Sequence, residues 1–213
     1  MLDYLELDCT EKPAALMVWL HGLGADGYDL QPVAEMLGTR NVLHVFPHAP
    51  VRPVTINGGM AMRAWYDITS MGLHREEDSE GMLASAAQVA ELVQALRGDT
   101  AMPVVLAGFS QGAVISLTAA VQGLPGLVGI AAMSGYVPRF LLPSLGQLAR
   151  VRLFMAHGEQ DGVIPFALAG AGHDALVSNG LEVDWHPYAM PHTICQQEIQ
   201  DIAAWLASLP GRA

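Results

Sequence analysis

The stretch "VVLAGFSQGAVISL", Val104 to Leu117, sets a Ser-Gln pair into a largely apolar run, with Gly108 and Gly112 two residues to either side of Ser110. "PVVLA" before the pair reads as a strand and "GAVISLTAAV" after it as a helix, so Ser110 falls at a strand-to-helix turn. A serine hydroxyl is lifted clear of a sheet only where that turn is sharp. Side chains two residues before and after it would then meet neighbouring backbone, which is why glycine suits both places. Chance alone would produce G-x-S-x-G in a chain of this size and composition roughly one time in ten, so the surrounding pattern has to decide its meaning. The competing reading is a serine that caps a helix between packing glycines.

Outward from this stretch, short apolar runs recur at "AALMVWL" (14–20), "VLHVF" (42–46), "LVGIAAMS" (127–134), "VRLFMAH" (151–157) and "LEVDWHPY" (181–188). Continuous rather than alternating apolarity predicts strands covered on both faces, as in a mostly parallel sheet. The leading "LDYLELD" alternates and reads as an edge strand. In "EEDSEGMLASAAQVAELVQALRG", Met82, Ala86, Val89, Val93 and Leu96 form one stripe, with Asp78 or Ser79 to cap the helix and Gly98 to end it. Beyond His192, Ile199, Ile202, Leu206 and Leu209 share a face, which predicts a closing amphipathic helix. Strands alternating with helices define an α/β architecture, with helices on both faces of the sheet, and residues 1–213 fit a single domain. The longest poorly patterned segment, Pro47 to Arg75, carries too many aromatic and methionine residues for disorder and reads as a functional insertion.

The net charge of −11 repels phosphate backbones and anionic headgroups, so no nucleic acid is expected as a partner. Cys9 and Cys195 form neither a disulfide framework nor a metal knuckle, and the first residues lack the basic-then-apolar pattern of a secretory signal; together these predict a cytoplasmic protein. No residue from Thr100 to Pro138 is charged, yet glycine, proline and glutamine cut this span into pieces too short to cross a bilayer, so a buried strand, helix and strand without membrane anchoring is expected.

A lone serine is a poor nucleophile and needs a base and an orienting acid. "HGEQDGVIP" places Asp161 in a loop after one strand, and "AMPHTIC" places His192 in the last loop before the final helix. Glu159 is a second acid in the first loop. His157, His173 and His186 lie in strand or helix patterns where a core or solvated histidine is the ordinary expectation. The order Ser110, Asp161, His192 is that of α/β-hydrolases, and these three are preferred. An oxyanion hole needs two backbone N–H groups; Gln111 follows the nucleophile, and "WLHGLGADG" offers Leu23 between Gly22 and Gly24. That loop also matches G-x-G-x-x-G, but no acidic residue ends the next strand to hold a ribose, which argues against a dinucleotide. No histidine forms H-E-x-x-H or a Cys/His cluster, so neither metal nor cofactor is expected.

The segments "HGLGADGYD", "FPHAPVRPVTINGGMAMRAWYD", "GFSQGAV", "HGEQDGVIP" and "MPHTICQQEI" resemble the carboxylesterase and acyl-protein thioesterase family of α/β-hydrolases, from about Leu16 to Leu206. The resemblance implies a catalytic triad of Ser110, Asp161 and His192, an oxyanion hole from the amides of Leu23 and Gln111, and small-molecule ester or thioester substrates. It hints at a homodimer. It also puts Trp65 and Met62, within "INGGMAMRAWYD", in the wall of an acyl pocket, although such residues serve equally as core filling. Asp67 reads as structural. Ala113, Gly162 and Pro191 depart from the family pattern without removing a catalytic group. The opposing functional reading is a binding protein on the same fold with no catalysis.

Overall fold

Residues 15–20 alternate between two covered faces: Leu16, Val18 and Leu20 pack on one side, Ala15, Met17 and Trp19 on the other, and all six are buried. A strand with this pattern can exist only between two layers of helices. The computed structural model describes residues 1–7, 9–70, 72 and 76–209, and this strand, β2 (Ala15–Leu20), lies inside a seven-stranded sheet. The other strands of the sheet are β1 (Tyr4–Leu7), β3 (Val42–Pro47), β6 (Val104–Phe109), β7 (Leu127–Met133), β8 (Arg152–Gly158) and β9 (Val183–Tyr188), in the order β1-β3-β2-β6-β7-β8-β9. β1 runs antiparallel to β3 at the edge, as its alternating sequence predicts, and every other pairing is parallel.

Helix α2 (Ser79–Arg97) begins where Asp78 accepts a hydrogen bond from the Gly81 amide at 2.9 Å, and ends at Gly98, whose positive φ of 56° favours glycine. Its stripe of Met82, Ala86, Val89 and Val93 packs on the β2/β6 face together with α3 (Gln111–Val121). The opposite face is covered by α1 (Gln31–Met36) and by α5 (Gln196–Ala207), whose Ile202, Trp205 and Leu206 reach the sheet beside Leu209. A third cluster joins α3 to α4 (Phe166–Ser178) and to the 3₁₀ segment Arg139–Leu148. Residues Gln111 to Ala120 of α3 are buried on every side, and the uncharged span from Thr100 to Pro138 is accordingly strand, helix and strand. Among the described residues no helix is long and apolar enough to cross a membrane.

The segment Pro47 to Arg75 has more order than its sequence pattern suggests, although residues 71 and 73–75 lie outside the described residues. β4 (Val51–Val54) and β5 (Met60–Arg63) form a small antiparallel hairpin apart from the main sheet. Four-residue strands with proline at position 53 and little apolar alternation carry no legible signal. Asp67 ties the hairpin turn by accepting from the Thr55 amide at 2.7 Å, which is the structural role its sequence context suggests.

Candidate active site

The parallel strands bring the loops after β2, β6, β8 and β9 to one edge of the sheet, where open α/β sheets place their ligands. Ser110 occupies the turn between β6 and α3 with φ of 56° and ψ of −114°, a conformation that costs a non-glycine residue energy and is held by the packing around it. The flanking glycines are required sterically: a Cβ at Gly108 would overlap the Gly112 carbonyl, and one at Gly112 would overlap the Leu20 carbonyl. Ser110 caps no amide with its side chain, so the helix-cap alternative does not describe it.

Asp161 is buried after β8 and uses both carboxylate oxygens. Oδ1 accepts from the amides of Val163 and Ile164, each at 2.8 Å, and Oδ2 accepts from Nδ1 of His192 at 2.6 Å. Glu159 points into solvent instead. A carboxylate can only accept, so His192 carries a proton on Nδ1, and Nε2 is the ring nitrogen turned away from Asp161. The His192 ring lies against Phe109, the residue before Ser110, with centroids 4.8 Å apart. The two loops are sewn together by backbone: Glu159 N–H donates to the Tyr188 carbonyl at 2.8 Å, and Gln160 N–H to that of Met190 at 3.1 Å.

Of the other histidines, His173 and His186 sit beside Asp174 and Asp184, away from this edge. His157 does approach the site. It is fully buried, its Nε2 stands 2.9 Å from the Ile164 carbonyl and 3.3 Å from Asp161 Oδ2, and burial lowers its pKa and keeps it neutral. Its Nε2 is turned to the Asp161 carboxylate and the Ile164 carbonyl.

Leu23, Ser110 and Gln111 border one cavity of about 180 Å³. Ile56, Tyr66, Ile68, Tyr136, Val163 and Ile164 make its walls mostly apolar. A second, more open cleft of about 250 Å³ is bordered by His192 together with Phe109, Asp29, Leu30 and Thr193. A larger cleft of about 380 Å³, which includes Asp3, His48 and Arg63, contains none of Ser110, Asp161 and His192.

Trp65 and Met62, expected in the cavity wall, do not border it. Trp65 is fully buried because its polar groups are all engaged: its amide donates to Gln111 Oε1 at 3.1 Å, its indole N–H to the His21 carbonyl at 2.9 Å, and its carbonyl accepts from Ser85. Met62 is half-buried beside Asn57, whose amide meets its sulfur at 3.2 Å. The family departures fit locally. The Ala113 methyl fills the space that Gly135 leaves open, a Cβ at Gly162 would meet nothing, and the Pro191 carbonyl accepts from the Thr193 amide at 2.9 Å.

A hydroxyl raised on a strained turn over the edge of a parallel sheet is the arrangement of α/β-hydrolases, and the chain is an enzyme of the serine-hydrolase class. It matches the phospholipase/carboxylesterase family over residues 4–209 and belongs to that family. Among its relatives, acyl-protein thioesterase 1 of Cryptococcus neoformans var. neoformans serotype D is 34% identical over 231 residues, covering 96% of each chain. Acyl-protein thioesterase 1 of Mycosarcoma maydis is 35% identical over 92% of this chain and 91% of its own. The crystal structure of acyl-protein thioesterase 2 from Zea mays superposes with a TM-score of 0.88 at 29% identity, over 98% of this chain and 99% of that one.

Proposed function

We propose that the protein is a cytoplasmic carboxylesterase that hydrolyses short to medium acyl esters, and acyl thioesters with them, through Ser110, His192 and Asp161. The observation that carries this reading is the 2.6 Å bond from His192 Nδ1 to Asp161, which leaves Nε2 as a base on a ring packed at a tilt against Phe109, the residue before Ser110. His192 Nε2 takes the Ser110 proton while Oγ attacks the carbonyl carbon, and the amides of Leu23 and Gln111 receive the developing oxyanion. The tetrahedral intermediate collapses, the C–O or C–S bond breaks, and His192 returns the proton to the leaving group. Water, activated by the same imidazole, then cleaves the acyl-serine. Asp161 stabilises the imidazolium in both steps.

The apolar cavity beside Ser110 suits an acyl chain, and its volume of about 180 Å³ favours modest length. The cleft that His192 itself borders is open and suits the leaving group, which the histidine must reach. The thioester half of the proposal is supported by relatives named acyl-protein thioesterases. No step calls on a metal or cofactor.

A matched ester and thioester of the same acyl chain, assayed across chain lengths, test the proposal. Ser110→Ala and Asp161→Asn should each lose about 10⁴-fold or more in turnover while still folding. Wild-type turnover by Ser110→Ala would contradict it, and a folded wild-type protein inert to every ester and thioester would favour a binding protein.

A further inference from the structure

His21 lies just past the end of β2 and is fully buried, yet both its ring nitrogens are engaged with backbone. Nδ1 stands 2.7 Å from the Gly22 carbonyl, and Nε2 stands 3.0 Å from the Ala49 amide. A carbonyl can only accept and a backbone amide can only donate, so one tautomer satisfies both: the proton is on Nδ1 and the lone pair on Nε2. Burial drives the His21 pKa down to about 4, so the ring holds this neutral form at neutral pH.

The Gly22 carbonyl and the Leu23 N–H belong to one peptide group, which is planar and trans, so they point in opposite directions. Holding one end aims the other. We propose that His21 is the positioning residue of the oxyanion hole: its Nδ1–H holds the Gly22 carbonyl and so turns the Leu23 N–H toward the carbonyl oxygen of a substrate on Ser110. The inference rests on the proposed function and deepens it.

The neighbouring contacts show why a pin is needed. Leu23 lies between two glycines, Gly24 already at φ of 77°, and such a loop can rotate its peptide planes at little cost. The loop is tied at both ends, by the Trp65 indole on the His21 carbonyl at 2.9 Å and by the Gly24 amide on the Arg63 carbonyl at 2.8 Å. Between those ties the Gly22 carbonyl meets two donors, the Ala25 amide at 3.3 Å and the His21 ring at 2.7 Å, and the shorter contact from His21 sets the Gly22 to Leu23 plane. The Leu23 amide itself has no acceptor among the described residues, as a donor reserved for substrate requires. The second donor is anchored to the same segment: the Gln111 side chain accepts from the Trp65 amide and donates to the Tyr66 carbonyl at 3.0 Å. Both amides are thus referred to residues 63–66, and a Cβ at Gly22 would stand 3.5 Å from that of Ser110, which sets the loop directly against the nucleophile.

The tautomer is measured first, on the unaltered protein, by long-range proton–nitrogen NMR of the histidine rings. A proton resident on Nδ1 of His21 at neutral pH is expected; a proton on Nε2, or a mixture, would overturn the proposal. Two variants then separate aiming from packing. His21→Gln keeps an acceptor for the Ala49 amide and loses the donor to Gly22, whereas His21→Asn keeps a donor in the Nδ1 position and loses the other contact. On a short activated ester, His21→Gln should lose roughly 10²-fold in kcat with KM within about twofold, and His21→Asn should recover most of that loss. Unchanged kcat in His21→Gln, or equal losses in both variants tracking their melting temperatures, would show a structural histidine only. Ser110→Ala is assayed alongside: its inactivity leaves the hydrolase reading standing whatever His21 does, while its full activity removes that reading and overturns the pin with it.

Discussion

Ser110, Asp161 and His192 were legible in the sequence because each stands in a short motif whose residue types have a chemical reason. The partners that hold them were not. His21, Gln111 and Trp65 form their network across 44 to 46 positions of chain, and nothing local marks a histidine that will bond two backbone groups. Trp65 illustrates the ambiguity, since a large aromatic near the site can wall a cavity or clamp a loop, and here its three hydrogen bonds draw it beneath the loop. Glu198 was equally silent. It is fully buried in the first turn of α5, and burial, with Asp201 one turn on, outweighs the Cys195 backbone and pushes its pKa up to about 8. An unfolded chain ionises the same group near 4.5, so its stabilising contribution is complete below that pH and is lost as pH rises through about 8. The histidines whose pKa burial lowers, His21 and His157, act below about 6.5, which leaves the interval from 6.5 to 8 to Glu198. Across it the protein should lose about 2 kcal/mol of stability, and Glu198→Gln should lose much less. Thermal unfolding at the two pH values decides; equal declines would acquit Glu198.

Among the elements, those with strong periodicity or continuous apolar runs formed as their sequences imply: α2 between Asp78 and Gly98, α5 on its apolar face, and the strands of the central sheet, except that β9, expected to be covered on both faces, is a partly exposed strand at the sheet's edge. The β4/β5 hairpin escaped because four-residue strands outside the main sheet bury too little to leave a pattern. The element that matters most is the β6–α3 elbow, whose tightness is read directly from what a methyl group would meet. Gly112→Ala forces a Cβ into the Leu20 carbonyl of the adjacent strand, so β2 and α3 must separate. A destabilisation of about 3 kcal/mol or more is expected, with turnover falling as Ser110 shifts. Gly162→Ala, at an open position, should leave both unchanged within about 0.5 kcal/mol. Denaturant midpoints and ester turnover of the pair check this, and similar behaviour of the two variants would contradict the steric account.

At the scale of the whole molecule, the parallel sheet does the assembling. Its strand order carries the loops after β2, β6, β8 and β9 to one edge, so residues far apart in sequence meet without any long-range instruction beyond strand register. The order of the motifs along the chain therefore implied the convergence before any coordinates, whereas the shape of the acyl cavity did not follow, because its walls come from the hairpin insertion and from loops after β7 and β8. The central claim is that this edge activates one serine. Reaction of the native protein with a fluorophosphonate, followed by peptide mapping, tests it most directly. The account predicts one adduct per chain, on the peptide that carries Ser110, and none in Ser110→Ala. An adduct on another residue, or no adduct on a folded protein, would contradict it.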